Sequence, residues 1–125
     1  MFKKFNAHPK GIKTSDCVVR AIATATNTDY LECRRELNRK KRELGYSSYK
    51  DTKFLYDYLK SYPRLIFKAI KGEPRVKGDD FKKLHPKGTY ILKMAGHVTT
   101  CVDGVILDTW DCSYRSVYTA WEIKK

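Results

Sequence analysis

Gly96-His97-Val98-Thr99-Thr100-Cys101-Val102-Asp103-Gly104-Val105-Ile106-Leu107-Asp108-Thr109-Trp110 reads as a β-hairpin that carries a histidine and an aspartate. Asp103-Gly104 between β-branched residues asks for a two-residue type I′ turn, because both central positions need positive φ. Such a turn pairs Val102 with Val105 and propagates outward, setting Thr99 opposite Asp108 and His97 opposite Trp110. Side chains alternate along a strand, so His97, Thr99 and Cys101 share one face with Ile106, Asp108 and Trp110. On that face His97 and Asp108 are diagonal neighbours, about 7–8 Å apart at the backbone and within hydrogen-bonding reach. The hairpin thus predicts a base beside the group that orients it.

Upstream, Lys13-Thr14-Ser15-Asp16-Cys17-Val18-Val19-Arg20-Ala21-Ile22-Ala23-Thr24-Ala25 supplies a nucleophile. Val18, Ala21, Ile22 and Ala25 recur at helical spacing, with Ser15 or Asp16 placed to cap the helix. Cys17 then lies in the first turn, where the helix dipole favours the thiolate. Asp16 opposes that effect, and an imidazolium partner would overcome it. Each residue also has a plainer role: Cys17 as a small core hydrophobe, His97 as a sheet-edge polar group, Asp108 as a turn-supporting carboxylate. Together, Cys17, His97 and Asp108 fit one nucleophilic mechanism. Asp111 is the alternative orienter, on the opposite face unless a bulge near Trp110 reverses the strand.

In residues 14–26 and 88–121 the chain resembles the papain-like cysteine peptidases: a Cys opens an apolar helix, and a Gly-His strand precedes a strand with Asp. Its likeness is to the small bacterial and phage-encoded type, similar to bacteriocin-processing peptidases. The resemblance implies an α+β fold in which N-terminal helices, the first carrying the nucleophile at its start, pack on a C-terminal antiparallel β-sheet. It implies Cys17 as nucleophile, His97 as base and acid, and Asp108 as orienter. The glutamine that such enzymes place shortly before the nucleophile has no counterpart in Gly11-Ile12-Lys13-Thr14-Ser15-Asp16, and Val18 stands where they have Gly. Asn6 is the upstream amide assigned to the oxyanion hole, beside the Cys17 main-chain N–H.

Length and composition are compatible with this reading. The 125 residues suit one domain spanning 1–125. No run approaches the ~20 apolar residues of a membrane span, and Met1-Phe2-Lys3-Lys4-Phe5-Asn6 lacks a secretory apolar stretch, so the expected location is the cytoplasm of the producing or host cell. Cys17, Cys33, Cys101 and Cys112 show no close paired spacing, which argues against zinc and against a disulfide framework. No cofactor or metal is expected. Glycine-rich phosphate loops are absent, which argues against a nucleotide-hydrolysing enzyme.

A net charge of +12, from 26 basic and 14 acidic residues, points to an acidic partner. Charge is densest between Glu32 and Leu44, a predicted helix begun near Thr28 or Asp29 and ended by Gly45, with Tyr30, Cys33, Leu37 and Leu44 as its apolar line. Arg34, Arg35, Arg39, Lys40, Lys41 and Arg42 form either a solvated face or a patch that steers nucleic acid, an acidic protein or a charged substrate. Tyr46, Tyr49, Tyr56, Tyr58 and Tyr62 offer base-stacking surfaces or core aromatics. The pattern further predicts a helix over 52–62 capped by Asp51 and stopped by Pro63, strands at 65–70, 89–94 and near 116–121, and a helical turn from Asp79 or Asp80 to Leu84. His8 and His85, each before proline, read as loop residues.

The expected function is that of a cysteine peptidase-like hydrolase cleaving a peptide or isopeptide bond through a Cys17–His97–Asp108 thioester mechanism. Two alternatives stand beside it. One is a non-catalytic domain of the same fold that binds nucleic acid or an acidic protein through the basic helix. The other is a thiol amidase, deamidase or acyltransferase using the same three residues.

Overall fold

A computed structural model describes residues 2–6 and 16–123. Among the described residues ten elements follow one another: β1 (Phe2–Lys4), α1 (Cys17–Thr26), α2 (Tyr30–Leu44), α3 (Thr52–Tyr58), β2 (Arg64–Ile66), α4 (Gly78–Leu84), β3 (Thr89–Met94), β4 (His97–Val102), β5 (Val105–Asp108) and β6 (Val117–Glu122). The class is α+β, with four helices and a six-stranded mixed sheet in the order β1-β5-β4-β3-β6-β2.

The hairpin forms as its turn chemistry requires. Asp103 and Gly104 take φ of 47° and 76°, and Val102 pairs with Val105, Cys101 with Ile106 and Thr100 with Leu107. Asp103 tolerates the left-handed conformation because its side chain is anchored: Oδ1 accepts from the Gly88 N–H at 2.9 Å, and the Asp103 N–H donates back to the Gly88 carbonyl at 2.8 Å. A second tight turn at Ala95-Gly96 joins β3 to β4, with Met94 opposite His97.

The sheet departs from the expected all-antiparallel arrangement at one edge. β1 runs parallel to β5, pairing Lys4 with Asp108, and the Phe5 N–H donates to the Asp108 carbonyl at 2.7 Å. Three residues are too few to display a period of two, and a parallel partner a hundred residues away leaves no local trace in the sequence.

Alternation along β4 divides its side chains between two cores. Val98 and Thr100 face the helices, where Thr100 Oγ1 donates to the Ala21 carbonyl at 2.7 Å and Val19, Leu37, Phe54 and Trp121 are fully buried. Cys101 lies on the other face, in a cluster with Phe81, Leu92, Met94, Ile106 and Val117 that α4 helps to cover.

α2 begins and ends where its caps dictate. Asp29 accepts from the Leu31 and Glu32 N–H groups at 3.0 and 3.1 Å, and Gly45 closes the helix at φ 82°. Tyr30, Cys33 and Leu37 are buried, but Leu44 is exposed because the last two turns of α2 bury nothing. Asp29→Ala is expected to cost about 1 kcal/mol of stability, read as a lowered urea midpoint at unchanged slope.

Three boundaries differ from expectation. α3 stops at Tyr58, with the chain turning through Leu59–Tyr62 before Pro63. β2 covers only Arg64–Ile66, and α4 starts at Gly78, where Asp80 accepts from the Lys77 N–H at 3.0 Å. The tyrosines pack into the core or against it. Tyr49 is buried, Tyr58 stacks on Phe54, Tyr56 meets Trp121 edge-on, and the Tyr46 and Tyr56 hydroxyls bond Asp57 and Thr119. No helix among the described residues is long and apolar enough to cross a membrane.

Candidate active site

Cys17 is the first residue of α1, and His97 the first of β4, so the helix start meets the rim of the sheet where the imidazole begins its strand. His97 Nε2 donates to Asp108 Oδ2 across 2.7 Å, the contact that the hairpin register predicts. The Cys17 thiol shares a cleft with His97, and the imidazole is the strongest influence holding that thiol below its ordinary pKa. The ring is thus fixed to the carboxylate through Nε2, beside the thiol in the same cleft. Trp110 packs against the imidazole, ring centroids 4.9 Å apart.

Five donors converge on Asp108. Oδ2 accepts from His97, from Thr99 Oγ1 at 2.6 Å and from the Cys112 thiol at 3.6 Å, while Oδ1 accepts from the Thr109 N–H at 2.6 Å and its hydroxyl at 3.4 Å. Such a shell stabilises the ionised form. Burial pushes the Asp108 carboxyl up, but the His97 and Thr99 bonds, the imidazolium charge and the Thr109 N–H outweigh it and hold the group below its ordinary range. Burial likewise works against protonated His97, yet bonds to Asp108, Cys112 and Cys17 carry it up to about 11.

Cys17 follows the same logic in the opposite direction. Burial raises its pKa, but the His97 hydrogen bond, the Val98 main-chain N–H and the nearby charges of His97 and Arg20 bring it below the ordinary 9.0. At Cys33 and Cys101 burial outweighs the lowering effect of Thr28 on the one and of Gly104 and Lys82 on the other, and pushes both up to about 11. Cys17 is thus set apart electrostatically as the most readily ionised of these three thiols. No family model, curated protein or solved structure matches the chain.

Asp16 occupies the cap position of α1 without capping it. Its carboxylate turns instead to the Tyr30 and Tyr49 hydroxyls at 2.5 and 2.9 Å, with Lys50 Nζ at 3.8 Å. These bonds hold the Asp16 carboxyl ionised, below its ordinary range, with its charge turned towards the two tyrosines and Lys50 and not to the helix N–H groups. Ser15, the other expected cap, and His8 lie outside the described residues. Asn6 stands two residues beyond the Lys4–Asp108 pair, half-buried, next to Phe5, which lines a small void with Cys17, Arg20 and Asp108. Asp111 is exposed and accepts from the Ser113 N–H at 3.0 Å, and it is Asp108 that bonds the imidazole. His85 stacks on Phe81 and has no catalytic neighbour.

His97, Asp108 and Cys112 bring a nitrogen, an oxygen and a sulfur within 4.8 Å of one another, a donor set of the kind that holds a metal ion. The 2.7 Å separation of His97 Nε2 and Asp108 Oδ2 is a hydrogen bond, shorter than the roughly 3.3 Å that two ligands of one tetrahedral zinc would keep. A shared proton suits this geometry better than a cation.

On the solvent side, a cleft of about 220 Å³ opens onto Cys17 and His97, with Val18, Leu55, Lys50 and Lys93 among its walls. Of the basic residues of α2, Arg39 is paired with Glu36 at 2.6 Å and Glu43 at 2.8 Å, and Lys40 with Glu43 at 3.3 Å, leaving Arg34, Arg35 and Arg42 as the exposed remainder. Residues that sequence reasoning did not assign to the site are Thr99, Cys112, Arg20, Lys50 and Lys93. Thr99 was visible in the register, directly opposite Asp108. Cys112 follows β5 through an irregular loop whose path no periodicity reveals.

Proposed function

We propose that this chain is a papain-like cysteine peptidase, with Cys17 as nucleophile, His97 as general acid and base, and Asp108 as the residue that orients the imidazole. The observation that carries the reading is the His97 ring bonded to the buried Asp108 carboxylate at 2.7 Å and sharing one cleft with the Cys17 thiol at the start of α1. Thiolate sulfur attacks the carbonyl carbon of a peptide or isopeptide bond, moving negative charge onto the carbonyl oxygen. The Cys17 main-chain N–H, at a helix start that no Asp16 side-chain bond caps, is the donor best placed for that oxyanion, and Asn6 is the candidate second donor. His97 Nδ1–H then protonates the departing amine, leaving a Cys17 thioester. A water molecule, deprotonated by the same nitrogen, attacks the thioester carbon and releases the acid and the thiol. Asp108 keeps Nε2 protonated throughout, so that Nδ1 is always the nitrogen that exchanges protons.

Alkylation by iodoacetamide as a function of pH, followed at each cysteine by peptide mass spectrometry, tests the assignment without a known substrate. Cys17 is expected to react with an apparent pKa below 9.0, and Cys33 and Cys101 near 11. In His97→Ala the advantage of Cys17 should vanish. A Cys17 that reacts no faster than Cys33 and Cys101 in the parent protein would reject the nucleophile assignment.

A further inference from the structure

The cleft above Cys17 is basic on both sides and, among the described residues, has no carboxylate on its walls. Lys50 reaches it from the segment before α3 and Lys93 from the end of β3, so the helical and the sheet halves each contribute an ammonium group. Val18 and Leu55 supply the apolar surface between them.

Lys93 is the more informative of the two. It is half-buried at the point where the β3–β6 register shifts, and Nζ donates to the Met94 carbonyl at 2.6 Å. No carboxylate among the described residues forms an ion pair with it. Burial lowers its pKa, and the negative charge of Cys17 is what acts in the other direction. A partly desolvated ammonium needs an opposing charge nearby. In the resting site the thiolate supplies it. Once sulfur has become a neutral thioester that charge is gone, and a negative group on the substrate is the natural replacement. Lys50 adds a second positive charge at the mouth. It is ion-paired at 3.8 Å with Asp16, whose carboxylate also accepts from two tyrosines.

We infer that the cleft binds a substrate carboxylate between Lys93 and Lys50, close to the scissile carbonyl, which makes acidic peptides the substrate class. The inference rests on Cys17 being the nucleophile of the proposed peptidase, and it names what that site selects. The chain's net charge of +12 works in the same direction at long range.

Two alkylating reagents that differ in charge, iodoacetate and iodoacetamide, read the cleft directly, since in both cases the Cys17 thiolate displaces iodide. The ratio of their rate constants at Cys17 in the whole protein is compared with the ratio for N-acetylcysteinamide, a neutral free thiol. The ratio is expected to exceed that of the free thiol and to fall by about tenfold in Lys93→Gln, with a smaller fall in the exposed Lys50→Gln. Losing a charge beside sulfur slows both reagents, so the ratio and not either rate is the measure. Rapid, His97-dependent reaction with iodoacetamide at a ratio equal to that of the free thiol, unmoved by either substitution, would overturn the inference while the peptidase reading stands. Slow reaction of Cys17 with both reagents would overturn both.

Protection of Cys17 from iodoacetamide by three peptides then separates the sources of the carboxylate. One has a central Glu and an amidated end, one has apolar side chains and a free α-carboxylate, and one is uncharged. Stronger protection by the first assigns a side-chain carboxylate, and stronger protection by the second a chain terminus. Equal protection by all three counts against the inference.

Discussion

Cys17→Ala is expected to lower kcat/KM for hydrolysis of acidic fluorogenic peptides by on the order of 10⁴-fold or more, with His97→Gln falling to a similar floor. The double variant should be no worse than either single one, because a nucleophile without its base and a base without its nucleophile fail at the same step. Initial rates over a peptide pool, with urea midpoints taken on the same preparations, check both claims. Cys17 is only half-buried, so its truncation should leave the midpoint close to that of the parent. His97 is buried and bonded to Asp108, which is why Gln, retaining bulk and polarity, is the better replacement. Hydrolysis surviving in Cys17→Ala would exclude the thioester route. A double variant much slower than both single ones would mean that the two residues act in separate steps.

The parts of this site that were legible in the sequence are those fixed by local geometry. Asp103-Gly104 permits essentially one turn, the turn sets the register, and the register brings Asp108 diagonally to His97 through the pleat alone. The start of α1 was legible because Val18, Ala21, Ile22 and Ala25 mark one helical face and Cys17 directly precedes it. Contacts between distant segments were not legible. Asp16 has the chemistry of a cap, but Tyr30 and Tyr49, brought in from α2 and the segment before α3, offer its carboxylate two hydroxyl donors, and tertiary bonding wins over local capping. β1 depends on an edge that exists only after the hairpin has formed. Cys112 reaches Asp108 from an irregular loop, and Lys93 enters the cleft where β3 and β6 slip in register. In each case a residue of ordinary appearance acquires its role from a partner whose proximity has no periodic signature.

Asp108→Asn should separate charge from orientation at the centre of the site. An amide offers one accepting oxygen where the carboxylate offers two, and both oxygens of Asp108 are occupied. If the amide oxygen faces His97, the NH₂ group confronts the Thr109 N–H, a main-chain donor that cannot rotate away. If it faces Thr109, the NH₂ group confronts protonated His97. Either arrangement strands a buried donor, for an expected loss of about 2–4 kcal/mol. The pH dependence should change as well. Asp108, lowered on folding, contributes stability that is present above its ordinary 3.8 and lost as pH falls through the folded value. His97, raised on folding, contributes stability that is full below 6.5 and lost as pH rises towards about 11. The parent pair is therefore strongest between 3.8 and 6.5, and Asp108→Asn should flatten both flanks, since an amide carries no charge and the His97 pKa drops with the loss of its counter-ion. Urea midpoints from about pH 3 to 10, with Cys17→Ala as the common background so that the thiol does not titrate, give the comparison. An Asp108→Asn profile that overlays its background would mean that His97 and Asp108 meet as neutral groups, and the thiolate would then lack the imidazolium on which its reactivity depends. A flattened profile with Cys17 alkylation only modestly slowed in the single Asp108→Asn variant would assign Asp108 chiefly to holding the ring, with the charge that activates sulfur residing on His97 itself.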